Sequence, residues 1–192
     1  MLKVLLVDDT PDRASALETA LCAVEGVRVA CALESPFELL RHVEEHRPDV
    51  VLIQTDSPNR DVLEQLAAVS GSAPRPVIMF TGDGESSAIR VALNVGVSAY
   101  IVDGIEPHRL EPIMRVAIER FEADQRLRAE LEDTKGKLAE RKDVERAKGI
   151  LMKQRGVGED EAFAMLRSHA MQRGIKLGEA ARQVIDIASL LG

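Results

Sequence analysis

Two carboxylates stand side by side at Asp8-Asp9, directly after the apolar run Val4-Leu5-Leu6-Val7. Such a pair can repel anions or hold a hard divalent cation weakly. Polar residues close three further apolar runs. Gln54-Thr55-Asp56-Ser57-Pro58 follows Val50-Val51-Leu52-Ile53, Thr81-Gly82 follows Val77–Phe80, and Asp103 follows Ala99–Val102. A second concentration of charge lies far along the chain: Arg141, Lys142, Arg146, Lys148, Lys153 and Arg155, with Arg167, Arg173 and Lys176 beyond them. Cations at this density suit a polyanion. Arg146, Lys153 and their neighbours are not expected to share one helical face, which leaves about half of the basic set as plain solvated side chains. His42 and His46 fall four apart on one helical pattern, a spacing metal ligands use, but no third ligand is evident and they read as exposed helix residues. No Ser/His/Asp, Cys/His or glycine-rich phosphate-loop arrangement appears, so neither an enzyme nor a small-molecule substrate is expected.

The elements that carry these residues follow from composition and pattern. The chain has 192 residues, 45% hydrophobic and 30% charged, with a net charge of −7. These values suit a globular protein and exclude general disorder. A bilayer span needs about 20 apolar residues, and no run approaches that, so no membrane segment is expected. The start Met1-Leu2-Lys3 enters a strand-like run with no signal-like cleavage site. Cys22 and Cys31 are too few for a disulfide framework or a four-ligand zinc site. They read as reduced core thiols of a cytoplasmic protein. Charge is unevenly spread: residues 1–111 hold 9 Lys/Arg against 18 Asp/Glu, residues 112–192 hold 16 against 14. An acidic half joined to a mildly basic half points to two modules with different partners.

Strand candidates in the acidic half are Lys3–Val7, Val27–Cys31, Asp49–Gln54, Val77–Phe80 and Ala99–Val102, several apolar on both faces. Helical patterns lie between them, opened by Thr10-Pro11 as N-cap and first-turn proline and by Ser35-Pro36-Phe37-Glu38 as a capping box. The alternation predicts an α/β, doubly wound, five-stranded parallel sheet, whose site lies at the carboxyl ends of the strands. One long helix is expected from Glu106-Pro107 to about Gln154. Leu110, Ile113, Ala117, Leu127, Leu131 and Leu138 recur on it at threes and fours, as in a self-associating coiled coil weakened by Arg120 and Asp124. Two more helices, Glu159–Arg173 and about Leu177 to Leu191, complete a small three-helix all-α unit. Its expected core includes Ala162, Met165, Leu166, Ala170 and Met171, then Ala180, Ala181, Val184, Ile185 and Ala188.

Over about residues 1–115 the motifs resemble a response-regulator receiver domain. In that family an acidic pair holds Mg²⁺, an aspartate ending the third strand accepts a phosphoryl group, and a Thr/Ser and a Lys read it. Carried over by position, Asp8 and Asp9 match the acidic pair, forming an acidic pocket with Thr81, the matching hydroxyl. The run Pro48-Asp49-Val50-Val51-Leu52-Ile53 puts Gln54 at the phosphoacceptor position, and Asp103 stands where the lysine would be. A carboxamide cannot form the acyl phosphate, so Gln54 is non-phosphorylatable. Asp56 falls past the strand end beside Pro58 and is not expected to substitute. The resemblance therefore implies a pseudo-receiver that binds protein, with no cofactor beyond weak Mg²⁺ at Asp8/Asp9.

Ala147-Lys148-Gly149-Ile150-Leu151-Met152, with Glu161-Ala162-Phe163, Leu166-Arg167, Ala170-Met171 and Lys176-Leu177, resembles the ANTAR domain, an RNA-binding module of bacterial antiterminators. The order receiver, coiled coil, ANTAR is similar to the AmiR/NasR group. Thr55-Asp56-Ser57-Pro58-Asn59-Arg60-Asp61, Met79-Phe80-Thr81, Val97-Ser98-Ala99-Tyr100-Ile101-Val102 and Ala139-Glu140-Arg141-Lys142 resemble its NasT-like, nitrate/nitrite-assimilation members. The implied organisation is a pseudo-receiver over 1–115, a coiled-coil helix over 116–140 and an RNA-binding ANTAR domain over 141–192. The implied function is transcription antitermination on leader RNA stem-loops of nitrate/nitrite assimilation genes. RNA contacts would come from Arg141, Lys142, Arg146, Lys148, Lys153, Arg167, Arg173 and Lys176, and a homodimer would form through Leu127, Leu131 and Leu138. Control would come from a nitrate/nitrite-binding sensor protein. A phosphorylation-dependent DNA-binding regulator and a dimeric adaptor without nucleic acid remain as alternatives.

Overall fold

The computed structural model describes residues 1–102 and 107–191, which form two compact units, Met1–Gln125 and Arg126–Gly192. The first unit alternates β1 (Leu2–Asp8), α1 (Pro11–Cys22), β2 (Val27–Leu33), α2 (Leu39–His46), β3 (Val50–Thr55), α3 (Arg60–Ser72), β4 (Val77–Thr81), α4 (Ser86–Asn94) and β5 (Ala99–Val102). The strands are all parallel, in the order β2-β1-β3-β4-β5. This is the expected doubly wound sheet.

Successive strand residues point to opposite faces, and the core divides accordingly. Leu5, Val7, Val51, Ile53, Val77 and Met79 pack on one face with Leu39, Val43, Val62, Leu66, Val69 and Ala92 from α2, α3 and α4. Val4, Leu6, Val50, Leu52, Ile78 and Phe80 pack on the other with Leu17 and Leu21 of α1. The same face is closed by Leu110, Met114 and Ala117 of α5 (Pro107–Arg155). Burial on both faces explains why these strands read as continuous apolar runs.

This placement corrects the coiled-coil seam. Leu110 and Ala117 are fully buried against their own sheet, so the start of α5 serves as the last receiver helix. The exposed stripe begins only beyond it: Leu127, Leu131 and Leu138 are 65%, 53% and 54% exposed. Pro112 lies inside α5. As the sixth residue of α5 it stands in the second turn, where its missing N–H removes one intrahelical hydrogen bond. The Ser35 capping box also fails. Ser35 Oγ accepts from the Phe37 N–H, but the helix begins later, at Leu39, behind Glu38 in a left-handed conformation. The side chain of Glu38 turns to Arg41 instead.

In the second unit, the end of α5 packs with α6 (Glu159–Arg173) and α7 (Leu177–Leu191). The core is made of small residues: Ala147, Ala170, Ala180 and Ala181 surround Leu166 and Val144. Such residues let helix backbones approach closely. Gly178 shows how closely, because a Cβ there would meet Glu140 Cγ at 2.4 Å. The Gly178 N–H instead donates to Glu140 Oε1 at 3.1 Å. Gly174 ends α6 with φ of 64°, and the Ile175 N–H reaches back to the Ala170 carbonyl, a glycine-dependent cap. Two expected core positions are not interior: Met171 is 72% exposed, and Cys22 in the first unit is exposed too.

Candidate functional site

The carboxyl ends of β1, β3 and β4 bring Asp8, Gln54 and Phe80 into register, with Thr81 one residue beyond, as the sequence predicts. Asp8 is fully buried and carries a network. Its Oδ1 accepts from the Thr10 N–H at 3.0 Å, and its two oxygens accept from Arg13 Nε at 3.0 and 3.1 Å. The same guanidinium donates through Nη2 to Asp9 at 2.8 Å and through Nη1 to Asp56 at 2.7 Å. One cation thus binds three carboxylates. The hydrogen bond from Arg13 to Asp8, then that to Asp56, raises the guanidinium's already high pKa against the opposing cost of burial.

Sequence reasoning missed Arg13. The signal was present, since position 13 stands four residues after Asp9 at the start of a helix, but its reach to Asp56 crosses the fold. Asp56 is brought into the cluster as an ion-pair partner. The oxygens that would face a divalent ion in a receiver face the Arg13 guanidinium, and Gln54 adds a carboxamide whose Oε1 is buried with no hydrogen-bond partner among the described residues. Asp103 lies outside the described residues.

Thr81 is tied as firmly. Its Oγ1 donates to the Asp56 carbonyl at 2.9 Å and accepts from the Asp83 N–H at 3.1 Å. Ser57 Oγ donates to Asp83 Oδ2 at 2.8 Å, and Tyr100 Oη donates to the Asp83 carbonyl at 2.8 Å. These bonds knit the loops after β3 and β4 together. The Glu85 N–H, followed by Ser57, holds the Asp83 carboxyl below its ordinary range.

The basic set of the second unit sorts by position. Arg141, Lys142, Arg146, Lys153, Arg155, Arg167, Arg173 and Lys176 are exposed. At 3.6 residues per turn, Lys142, Arg146 and Lys153 fall within about 40° of one another, opposite the face that buries Val144 and Ala147. These three form a stripe, while Arg141 and Arg155 fall on other faces, as expected of a set of which about half is plain solvated charge. Lys148 departs from the expected RNA-contact set: it is buried, and its Nζ donates to Glu159 at 2.7 Å and Glu145 at 2.9 Å. These partners push its ammonium pKa up, and Lys148 in turn holds Glu159 below its ordinary value. Its role is to pin the start of α6 to α5. On α6, Phe163, Arg167 and Met171 recur every fourth residue and line a shallow cavity of about 380 Å³ with Ala170, Gly174, Ile175 and Leu177. Phe163, named from the sequence only within the ANTAR resemblance, is 39% exposed.

A five-stranded parallel sheet with an acidic cluster at its carboxyl edge, followed by a helical unit with an exposed basic stripe, defines a two-module regulator of the response-regulator class. Residues 4–115 match the response regulator receiver domain model and residues 132–185 match the ANTAR domain model. The chain belongs to the response regulator receiver family and carries an ANTAR domain, an architecture of regulators and not of enzymes. It is 27% identical to the transcriptional regulatory protein PdtaR of Mycobacterium tuberculosis over 84% of this chain and 79% of that one. Part of the chain is similar in fold to the CheY-like receiver of Methanospirillum hungatei, with a TM-score of 0.56 and 24% identity over 65% of this chain and 98% of that one. The receiver domain of the M. tuberculosis response regulator NarL gives 0.54 and 23% over 60% and 95%. Among the described residues no helix is long and apolar enough to cross a membrane.

Proposed function

We propose that this chain is an RNA-binding transcription antiterminator whose receiver half is read by a partner protein and not by phosphorylation. The ANTAR match over residues 132–185 carries this reading. Two surface features support it. The Lys142, Arg146 and Lys153 stripe supplies cations for phosphates, and the exposed Phe163 beside Arg167 supplies planes on which unpaired loop bases can stack. In this reading residues 1–115 are a pseudo-receiver, 116–140 a coiled-coil helix and 141–192 the RNA-binding module.

In this reading the acidic pocket works without Mg²⁺, because Arg13 pairs with Asp8, Asp9 and Asp56 and offsets one of their three negative charges. Gln54 offers no nucleophile, so no acyl phosphate forms. The switch is then an occupancy: a sensor protein masks the chain and releases it when its ligand arrives. The receiver motifs shared with nitrate/nitrite-assimilation regulators make a nitrate/nitrite-binding sensor and the leader transcripts of such genes the targets. The exposed leucines 127, 131 and 138 cover one another in a homodimer, which presents two modules to paired stem-loops at high effective concentration.

Titration of full-length protein against a leader RNA bearing paired stem-loops tests the reading. Binding that weakens steeply with salt and exceeds that to duplex DNA of equal length supports it. Equal affinity for duplex DNA, or no binding to RNA, overturns it.

A further inference from the structure

We propose that Cys31, His42 and His46 form a binding site for a borderline-soft transition-metal dication of the zinc type. The fold brings the three together from two elements. His42 and His46 stand one turn apart on α2, their rings stacked with centroids 6.0 Å apart and planes within 2°. Cys31 comes from β2, an edge strand of the sheet. The candidate ligand atoms of all three lie within 4.8 Å of one another. In a tetrahedral zinc site, Zn–N near 2.1 Å and Zn–S near 2.3 Å place ligand atoms about 3.3–3.6 Å apart. A closure of roughly 1 Å, within reach of side-chain torsions, completes the set.

Three further observations point to a ligand. All three residues are half-buried, so the site is walled yet reachable. Nδ1 of His42 is buried with no hydrogen-bond partner among the described residues, an arrangement that costs free energy until the nitrogen is satisfied. Neither cysteine is in a disulfide, and among the described residues the Cys31 Sγ has only a long contact of 4.0 Å to the Ala32 carbonyl.

The donor set decides the class of ion. Two imidazoles and a thiolate favour zinc, cobalt or copper over Mg²⁺ and Ca²⁺, which take oxygen ligands. Binding replaces the thiol proton by the metal: the dication takes the thiolate and two neutral imidazoles, one proton leaves to solvent, and the complex carries a single positive charge. A fourth position stays open to water or to a donor from another molecule. The ion would staple the edge strand to α2, a helix whose flanking residues Glu38 and Arg47 both adopt left-handed conformations.

Untagged full-length protein titrated with Co²⁺ under reducing conditions tests the site. The expected result is visible bands of tetrahedral cobalt with a thiolate-to-cobalt charge-transfer band, displaced by Zn²⁺. C31S removes the charge-transfer band. His42→Asn and His46→Asn each weaken binding by more than the roughly 10–100-fold that loss of an outer-shell partner costs. C22S changes neither. A variant-free measurement guards against misfolding: Zn²⁺ should slow alkylation of Cys31 in the wild-type chain and leave that of Cys22 unchanged. The proposal is overturned if cobalt gives no such spectrum, if its bands survive C31S, or if Zn²⁺ protects neither cysteine or both alike.

Discussion

Arg13 grips Asp8 through two nitrogens: Nε lies 3.0 and 3.1 Å from the two carboxylate oxygens, and Nη2 lies 3.0 Å from Oδ1. Nη2 also donates to Asp9 at 2.8 Å, and Nη1 turns away to Asp56 at 2.7 Å. A planar fork with donors on three edges is what an arginine offers and a lysine does not. Asp8 is fully buried while Arg13 keeps 27% of its side-chain exposure, so the pair sits at the mouth of the pocket.

Removing that cation leaves a buried carboxylate uncompensated. Arg13→Ala should destabilise the receiver unit by about 1–3 kcal/mol, reduced from a fully buried pair by solvent access. Arg13→Lys should recover only part, because it cannot serve three carboxylates at once. Urea unfolding monitored by circular dichroism measures both.

If the receiver is read by a partner and not by phosphorylation, restoring phosphorylation should take two changes and not one. Wild-type protein incubated with a small-molecule phosphodonor should show no added phosphate by intact mass. Gln54→Asp alone should still show none, since Arg13 continues to occupy the acidic pair. Stable labelling of the wild-type chain would refute the docking model of the receiver.

The Lys148–Glu159 pair sets a pH signature for the second unit. Glu159 is depressed from its ordinary 4.5, first by the hydrogen bond from Lys148 and then by its charge. Its contribution is therefore present above that value and lost as pH falls through the lower, folded one. Lys148 is raised from 10.5 by Glu159 and then Glu145, so its contribution is complete below 10.5 and lost as pH rises beyond it. Glu159→Gln should flatten the acid limb of a thermal-unfolding profile between pH 2 and 6 and leave neutral pH binding to RNA largely intact.

RNA affinity should divide between charge and stacking. Each of Lys142→Ala, Arg146→Ala and Lys153→Ala should lower the slope of log affinity against log salt by about 0.7–0.9, the signature of one lost phosphate contact. Phe163→Ala should cost about 1–3 kcal/mol with the salt slope unchanged. Lys148→Ala should instead lower the melting temperature, because its charge is spent inside the unit.

Self-association through α5 should depend on its exposed leucines. Leu131→Glu should convert a dimer to a monomer in sedimentation equilibrium, and Leu110→Glu should disrupt folding, because Leu110 is buried in the sheet's own core.

The sequence alone determined the elements and their class. The continuous apolar runs of β1, β3 and β4, buried on both faces, and the 3.6-residue pattern of α6 and α7 are local properties, so their alternation announced a doubly wound sheet and a helical unit. Motif spacing placed Asp8, Asp9, Gln54 and Thr81 at the strand ends for the same reason. What only the tertiary structure decided are the meetings between distant positions. Arg13 reaches Asp56 across 43 residues, Lys148 turns inward to Glu159, and Cys31 arrives beside His42 and His46. The leucine pattern of α5 illustrates the limit most plainly. A heptad-like spacing reads the same whether its partner is the chain's own sheet or a second copy. Only packing separated Leu110 and Ala117, which lie under β-strands, from Leu127, Leu131 and Leu138, which face solvent.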